Sequence, residues 1–394
     1  MKYYINFLRD KPIIRSLSLV NFIASFGAWF STVAIYTMVV EFGSSEFAIA
    51  IVTAMHFIPA ILIAPFSGSL IDRLRIKPLM VTLLFIELSM TACFLLIETA
   101  SDLWLLLIFI FIRMSAASMF FSSEMSLLAK IATGKDLQTA NEIQSIIWSF
   151  TYAVGMAVSG FIVNLYGVKA AILIDVAIFV LAFFVFLNIK INIEYKKVEE
   201  KILELMIDGL RYIKNNKIIL HLIFLHASVG LTSYDALITI LAKNEYKELI
   251  AVPLAIGLSN AVRAVALMIG PLFLNKIIKK DNLQYLLIFQ GITIIIWAFA
   301  QSNFYLSLGA LFFVGFSTAF LWSYTYALLQ NHCDKRYIGR VISYNDMFFM
   351  LANVLTTLFI GTMAHITTTS IITICLGVAF LFYAYYYTKI YSKI

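Results

Sequence analysis

Charge is scarce in this chain. Of 394 residues only 13% are charged and 62% are hydrophobic, which excludes a molecule whose surface mostly faces water. Cysteine is scarcer still: Cys93, Cys333 and Cys375 are scattered, odd in number and without CxxC spacing, so no disulfide framework or metal centre is expected. The sequence has no GxxxxGK[ST], no HExxH, and no cluster of acids and histidines at ligand spacing. Enzyme chemistry, a cofactor and a metal are therefore not expected.

Apolar length is what the chain does have. Twelve runs approach or exceed the roughly 20 residues needed to cross a bilayer. They fall at about 16–40, then as a second run returning to Gly68, then 79–97, 103–129, 137–165, 168–189, 218–242, 249–275, 283–300, 304–330, 337–364 and 370–387. The first follows MKYYINFLRDKPIIR, is longer than a signal-peptide core and shows no obvious cleavage site, so it is expected to be retained. The fold class that follows is an all-α integral membrane protein of twelve transmembrane helices.

Between the second and third runs lies a charged island, GSLIDRLRIKPLM from Gly68 to Met80, with Asp72, Arg73, Arg75 and Lys77 close together. Charges this dense leave the hydrocarbon, and the excess of Arg and Lys assigns that surface to the cytoplasm. Lys169, Lys243 and Lys247 fall on the outer side and Arg113 and Arg263 within runs; the rest of the 29 basic residues share the side of the island. The net charge of +7 is thus a topology signal, and no nucleic-acid partner is expected. Both termini are expected in the cytoplasm.

The apolar pattern breaks between Asn192 and Lys217. There Ile202, Leu205, Met206, Leu210 and Ile213 recur at helical spacing among charges, the pattern of an amphipathic surface helix. It divides the chain into residues 1–190, a linker at 191–217, and residues 218–394. The two halves look like copies. An offset of 202 lays RMSAASMFFSS from Arg113 on GFSTAFLWSYT from Gly315, and an offset of 203 lays Asp72, Arg73 and Lys77 on Asn275, Lys276 and Lys280. Two six-helix bundles related by duplication are the architecture of a secondary transporter with its site between the repeats. A channel is a second class; saturable flux distinguishes a carrier from it.

The island resembles the loop signature of the major facilitator superfamily, GxLaDrxGrk, at Gly68, Leu70, Asp72, Arg73 and Lys77, and departs from it at the second glycine, here Arg75. The resemblance implies a gating contact that latches the halves in an outward-open state, received near Tyr337 to Arg340. Arg113 followed by Ala116, Ala117 and Ser118 is similar to the pattern of the superfamily's drug/proton antiporters. The stretch YAVGMAVSGFIV is similar to their GPxxGG signature, with Gly155 and Gly160 kept and Met156 in place of proline. Small residues there permit tight helix packing. The stretch from Phe120 to Val168, including DLQTANEIQSIIW, resembles the branch containing macrolide-efflux and enterobactin-exporter proteins. That branch often places an acid after a glycine on its first helix; here Gly27 is followed by Ala28.

Ionisable groups inside the membrane are costly and so are candidates for function. Arg113 and Glu124 share one helical face; Asp235 and Arg263 form a possible ion pair, with Arg263 alternatively a contact for a substrate anion. These four are the expected substrate or proton-coupling residues, with Glu87, Asp175, Asp346, His56 and His226 weaker. An interfacial pairing of Glu124 with Arg73 is the other reading of that acid. On the first run Asn21, Ser25, Trp29, Thr32 and Tyr36 form a polar and aromatic stripe. With Phe121 and Trp322 it is expected to line a cavity suited to an amphiphilic solute.

The expected function is secondary active transport of a small hydrophobic or amphiphilic solute by alternating access, as proton-coupled efflux by a monomer in the cytoplasmic (inner) membrane of a bacterium. Transport of a specific metabolite, siderophore or lysolipid is the alternative.

Overall fold

The computed structural model describes residues 2–191, 202–275, 277–334 and 336–393, and the side chains at 68, 72 and 73 lie outside that description. Among the described residues there are helices and turns and no strand. Lipid dictates this, because a helix satisfies each backbone N–H and C=O within its own segment.

Short α1 (Lys2–Asp10) precedes α2 (Pro12–Glu41), whose proline stands where a helix has no N–H to lose. Next come α3 (Glu46–Ala54), α4 (Ile58–Arg73), α5 (Ile76–Cys93) and α6 (Leu103–Ile131). The long α7 (Gly134–Leu187) turns at Gly167, whose φ of 81° and ψ of 171° only glycine adopts readily. Its arms, 134–166 and 168–187, coincide with the fifth and sixth apolar runs. Among the described residues eleven helical segments are long and apolar enough to cross a membrane, with α7 counted as one. Dividing it at Gly167 gives the twelve crossings expected.

The remainder comprises the amphipathic α8 (Ile202–Asn215), α9 (Lys217–Ala227), α10 (Asp235–Leu241), α11 (Val252–Leu274), α12 (Leu283–Ala300), α13 (Phe304–His332), α14 (Ile338–Met363) and α15 (Thr369–Ile390). The first part of the expected linker, 192–201, lies outside the described residues.

Two departures from the sequence reading concern where helices stop. The charged island is almost all helix: α4 continues through Arg73 and α5 begins at Ile76, with only Leu74 and Arg75 between them. Leu74 is extended at φ −116° and ψ 152° and Arg75 at φ −65° and ψ 119°, and these two residues turn the chain. The seventh crossing is discontinuous. Between α9 and α10 the chain tightens into a 3-10 turn at Ser228–Thr232, then breaks at Ser233 and Tyr234. The break is anchored to α14, where the Ser233 and Thr357 hydroxyls meet at 3.0 Å.

One end of the bundle carries the termini. There Lys11 pairs with Asp136 at 2.6 Å, Lys77 donates to the carbonyls of Leu187 and Ile189, and the Tyr387 hydroxyl donates to the carbonyl of Lys280. The opposite end carries Glu46, Glu98, Lys169 and Lys243, with Lys169 and Glu98 paired at 2.8 Å. Close helix approaches depend on small residues. Gly160 of α7 and Gly257 of α11 face each other so closely that a Cβ at Gly160 would stand 2.7 Å from the Pro253 carbonyl oxygen. Gly291 and Gly377 do the same between α12 and α15.

Candidate functional site

Among the described residues, three of the buried polar clusters in the interior are built on a charged side chain too costly to leave alone in hydrocarbon. In the first, Arg113 of α6 and Asp175 of α7 are paired at 3.2 Å, 5% and 0% exposed. The Ser31 hydroxyl of α2 donates to the same carboxylate oxygen, and the rings of Phe94 and Phe179 flank the guanidinium at 5.6 and 5.2 Å. Gly27 lies directly against the other Asp175 oxygen, which has no hydrogen-bond partner. Buried Glu87 of α5 is within electrostatic range of both Arg113 and Asp175. Asp175, a weaker candidate in the sequence, is therefore the direct partner of Arg113. No spacing signals this pairing, since the two residues lie on different helices 62 positions apart.

The second cluster holds Glu124, which is 2% exposed. Asn21 of α2 donates to one of its oxygens at 2.9 Å and Gln144 of α7 to the other at 2.7 Å. Asn21 also donates to Gln144 at 2.6 Å and accepts from Ser25 at 2.8 Å. Glu124 is thus buried within the protein and both described hydrogen bonds come from neutral amides, while the expected pairing with Arg73 rests on a side chain outside the described residues. Arg113 and Glu124 share a helix but belong to separate networks. Gln144 was missed because an amide in an apolar run carries no charge to single it out.

The third cluster joins the two halves of the chain. Arg263 of α11 donates to the Thr232 carbonyl at 2.8 Å, at the break before α10. It also reaches the Tyr152 hydroxyl of α7 at 3.4 Å and lies 3.7 Å from Asp235. Tyr152 donates to Asn260 at 3.1 Å. Tyr234 places its ring 5.3 Å from the guanidinium, so it stacks on Arg263. The Arg263–Asp235 pair was legible in the sequence; Tyr152 and Asn260 were not.

The stripe on α2 divides among these clusters. Asn21 and Ser25 serve Glu124, while Trp29 packs on Tyr152 at 4.4 Å and against Gly155. The Thr32 hydroxyl bonds back to the Ala28 carbonyl. Tyr36 is 2% exposed, covered beside His56 at 5.7 Å. Phe121 and Trp322, by contrast, are 57% and 41% exposed. His226 meets Thr325 at 2.8 Å among Trp322, Tyr326 and Phe349, and Asp346 accepts from Asn345 at 3.4 Å.

At the gating motif, Lys77 caps the end of α7 within its own half, where a contact across the halves was expected. The calls on Gly68, Asp72 and Arg73 rest on side chains outside the described residues. The expected receiver is engaged by α8: Arg340 pairs with Asp208 at 2.6 Å, and Tyr337 stacks on Tyr212 at 4.2 Å. At the opposite end the halves are tied by Lys243, which donates to Glu46 at 3.0 Å and to the Ser44 carbonyl at 2.8 Å. Asn244 and His365 also approach Glu46, at 3.4 and 3.6 Å.

Twelve membrane crossings packed around charged clusters, with a polar seam between the halves, define a multi-pass membrane transport protein. The chain belongs to the Major Facilitator Superfamily, whose profile matches residues 17–357. No curated sequence matches it. Its fold is similar to that of the nucleoside transporter NupG, at a TM-score of 0.76 and 13% identity over 96% of this chain and 98% of that one. It is also similar to a bacterial homolog of the human lysosomal transporter Spinster in an inward-facing, occupied conformation, at 0.74 and 13% over 98% and 97%. A D-xylose–proton symporter matches at 0.72 and 14% over 94% and 97%.

Proposed function

We propose that this transporter is a proton-coupled exporter of small hydrophobic or amphiphilic solutes, allied to the macrolide-efflux and enterobactin-exporter branch. It works as a monomer in the cytoplasmic membrane of a bacterium, with both termini in the cytoplasm. The halves, 1–190 and 218–394, rock about the seam between α7 and α11, and the ties at Glu46 close the outer side. Exposed Phe121 and Trp322 then face the side of the termini and receive an apolar solute.

The observation that carries the coupling is Glu124. Among the described residues, an acid held in the interior by two neutral amides has no charged partner in that network, so a proton does the balancing. Asn21 belongs to α2 and Gln144 to α7, so a change in the protonation of Glu124 alters contacts among three helices.

The test is flux in proteoliposomes with an imposed pH gradient and a panel of cationic, neutral and anionic fluorescent amphiphiles. Wild-type flux saturates and follows the gradient. In Glu124→Gln, which keeps the size of the side chain but cannot take up or release a proton, flux no longer responds to the gradient. Gradient-independent wild-type flux, or an unaltered response in the variant, removes proton coupling at this residue; non-saturating ion conductance makes the protein a channel.

A further inference from the structure

The seam around Arg263 is rich in donors and poor in acceptors. A guanidinium offers five N–H donors and accepts nothing. Arg263 is 9% exposed, and its one well-formed bond is from Nη2 to the Thr232 carbonyl at 2.8 Å. The approach of Nη1 to Tyr152 is long at 3.4 Å, and that hydroxyl gives its own hydrogen to Asn260. Nε has no partner. Asp235 neutralises the charge from 3.7 Å, beyond hydrogen-bonding distance. The indole Nε1 of Trp29, whose ring lies on Tyr152, is a second buried donor without an acceptor. Leaving such donors dry is costly, and more so for a charged one. A site built this way is incomplete without an acceptor from outside.

An apolar path leads to it. Trp148 is 47% exposed and lies one helical turn from Tyr152 on the same face of α7, with ring centroids 5.4 Å apart. Its edge meets Trp29 at 6.1 Å. The aromatic surface therefore runs from an accessible indole through Trp29 and Tyr152 to a buried cation.

We infer that Arg263 is the headgroup-binding residue of this transporter, taking the carboxylate or phosphate oxygens of an anionic amphiphile whose apolar body lies along Trp148, Trp29 and Tyr152. An oxyanion accepts in parallel from Nε and one Nη, the bidentate geometry that a guanidinium favours. It displaces the loose contacts to Asp235 and Tyr152, one on each half of the chain. Occupancy is thereby felt across the seam. This narrows the reading of the chain as a carrier of amphiphiles and is independent of direction and of proton coupling.

The experiment is equilibrium binding to the full chain in lipid nanodiscs. Tryptophan emission is transferred to dansyl probes that share an eleven-carbon tail and end in a carboxylate, a phosphate monoester or a primary amide, and signal from empty nanodiscs is subtracted. At least one of the two acids binds saturably and at least tenfold more tightly than the amide; which one identifies the oxyanion. Arg263→Gln brings the acids to the level of the amide and leaves the amide unchanged. Should the Gln variant not purify intact, Arg263→Lys decides: the acids lose at least threefold as the paired donors go, and the amide is unaffected. Wild-type binding of amide and acids with equal affinity, or acid preference that survives these substitutions in full, overturns the assignment. No gradient is applied, so failure of proton-coupled export in the flux assay leaves this result standing, and the converse.

Discussion

Asp175 shows how far single residues can be read from the chain alone. The sequence marks it as an acid in an apolar run, and the structure adds Arg113, Ser31 and the bare surface of Gly27 around it. The offsets that align the two halves as proposed copies allow a comparison at this site. At an offset of 202, Arg113 and Asp175 fall on Gly315 and Gly377, and at 203 Glu87 falls on Gln290. The second half packs those positions with glycine and an amide: Gly315 meets the Arg263 backbone, Gly377 meets Gly291, and Gln290 donates to the Val314 carbonyl. The second half thus packs those positions without charge, and whether the charged set in the first half serves transport or packing is what a pair of variants separates. Removing one member of a buried pair strands the other, at a cost of about 3–5 kcal/mol, whereas replacing both by apolar residues is often neutral. Arg113→Met should accordingly lower the melting temperature in detergent. The double variant Arg113→Met/Asp175→Leu should recover most of that loss while transport stays abolished. Full transport by the double variant, measured in the proteoliposome assay, would show the pair to be structural only.

At the scale of the element, periodicity and length located every crossing, because the hydrocarbon imposes one length and one hydrogen-bonding solution on each. They also separated the fifth run from the sixth between 165 and 168, where the structure turns at Gly167 with a positive φ. What they missed is local geometry set by neighbours. Nothing in SVGLTSYD announces the break before Asp235, which is held by Thr357 of α14 and by Arg263 of α11. The island at Gly68 looked like a loop because charge was taken to end a helix; helices project charges into headgroups without stopping. The α7–α11 contact was half legible, since Gly160 stood out but its partner Gly257 did not. With backbone facing backbone there, Gly160→Leu has no side chain to push aside and must separate the helices, at about 1–3 kcal/mol. The expected outcome is a loosened outer seam. With Cys93, Cys333 and Cys375 replaced by serine, a cysteine at buried Ser44 should react with an impermeant maleimide faster in Gly160→Leu than in the parent. Equal rates would mean that this glycine pair does not hold the seam shut.

For the whole molecule, the question is what sets the balance between the two conformations of a carrier. The ties at the Glu46 end are few and partly wet: the side chains of Glu46 and Lys243 are 17% and 21% exposed. An ion pair of this kind contributes about 1 kcal/mol, enough to shift a two-state population by roughly fivefold and too little to lock it. That suits an alternating carrier, in which neither state can be so deep that solute cannot reverse it. No pattern in the chain signals this pair, because Glu46 and Lys243 lie 197 positions apart in different halves, and both read as ordinary loop charges. Lys243→Met keeps an unbranched apolar stem, one atom shorter, and removes the charge and its two bonds, to Glu46 and to the Ser44 carbonyl. Spin labels at exposed Glu41 and Lys247, in the background lacking native cysteines, should show one dominant short distance in the parent. In Lys243→Met the ratio of long to short distances should rise about fivefold. Because the pair is partly solvated, raising the ionic strength should move the parent in the same direction and leave the variant little changed. A distance distribution that neither substitution nor salt alters would place the closing energy elsewhere, in the apolar contact between Gly361 of α14 and Ala50 of α3 that lies beside it.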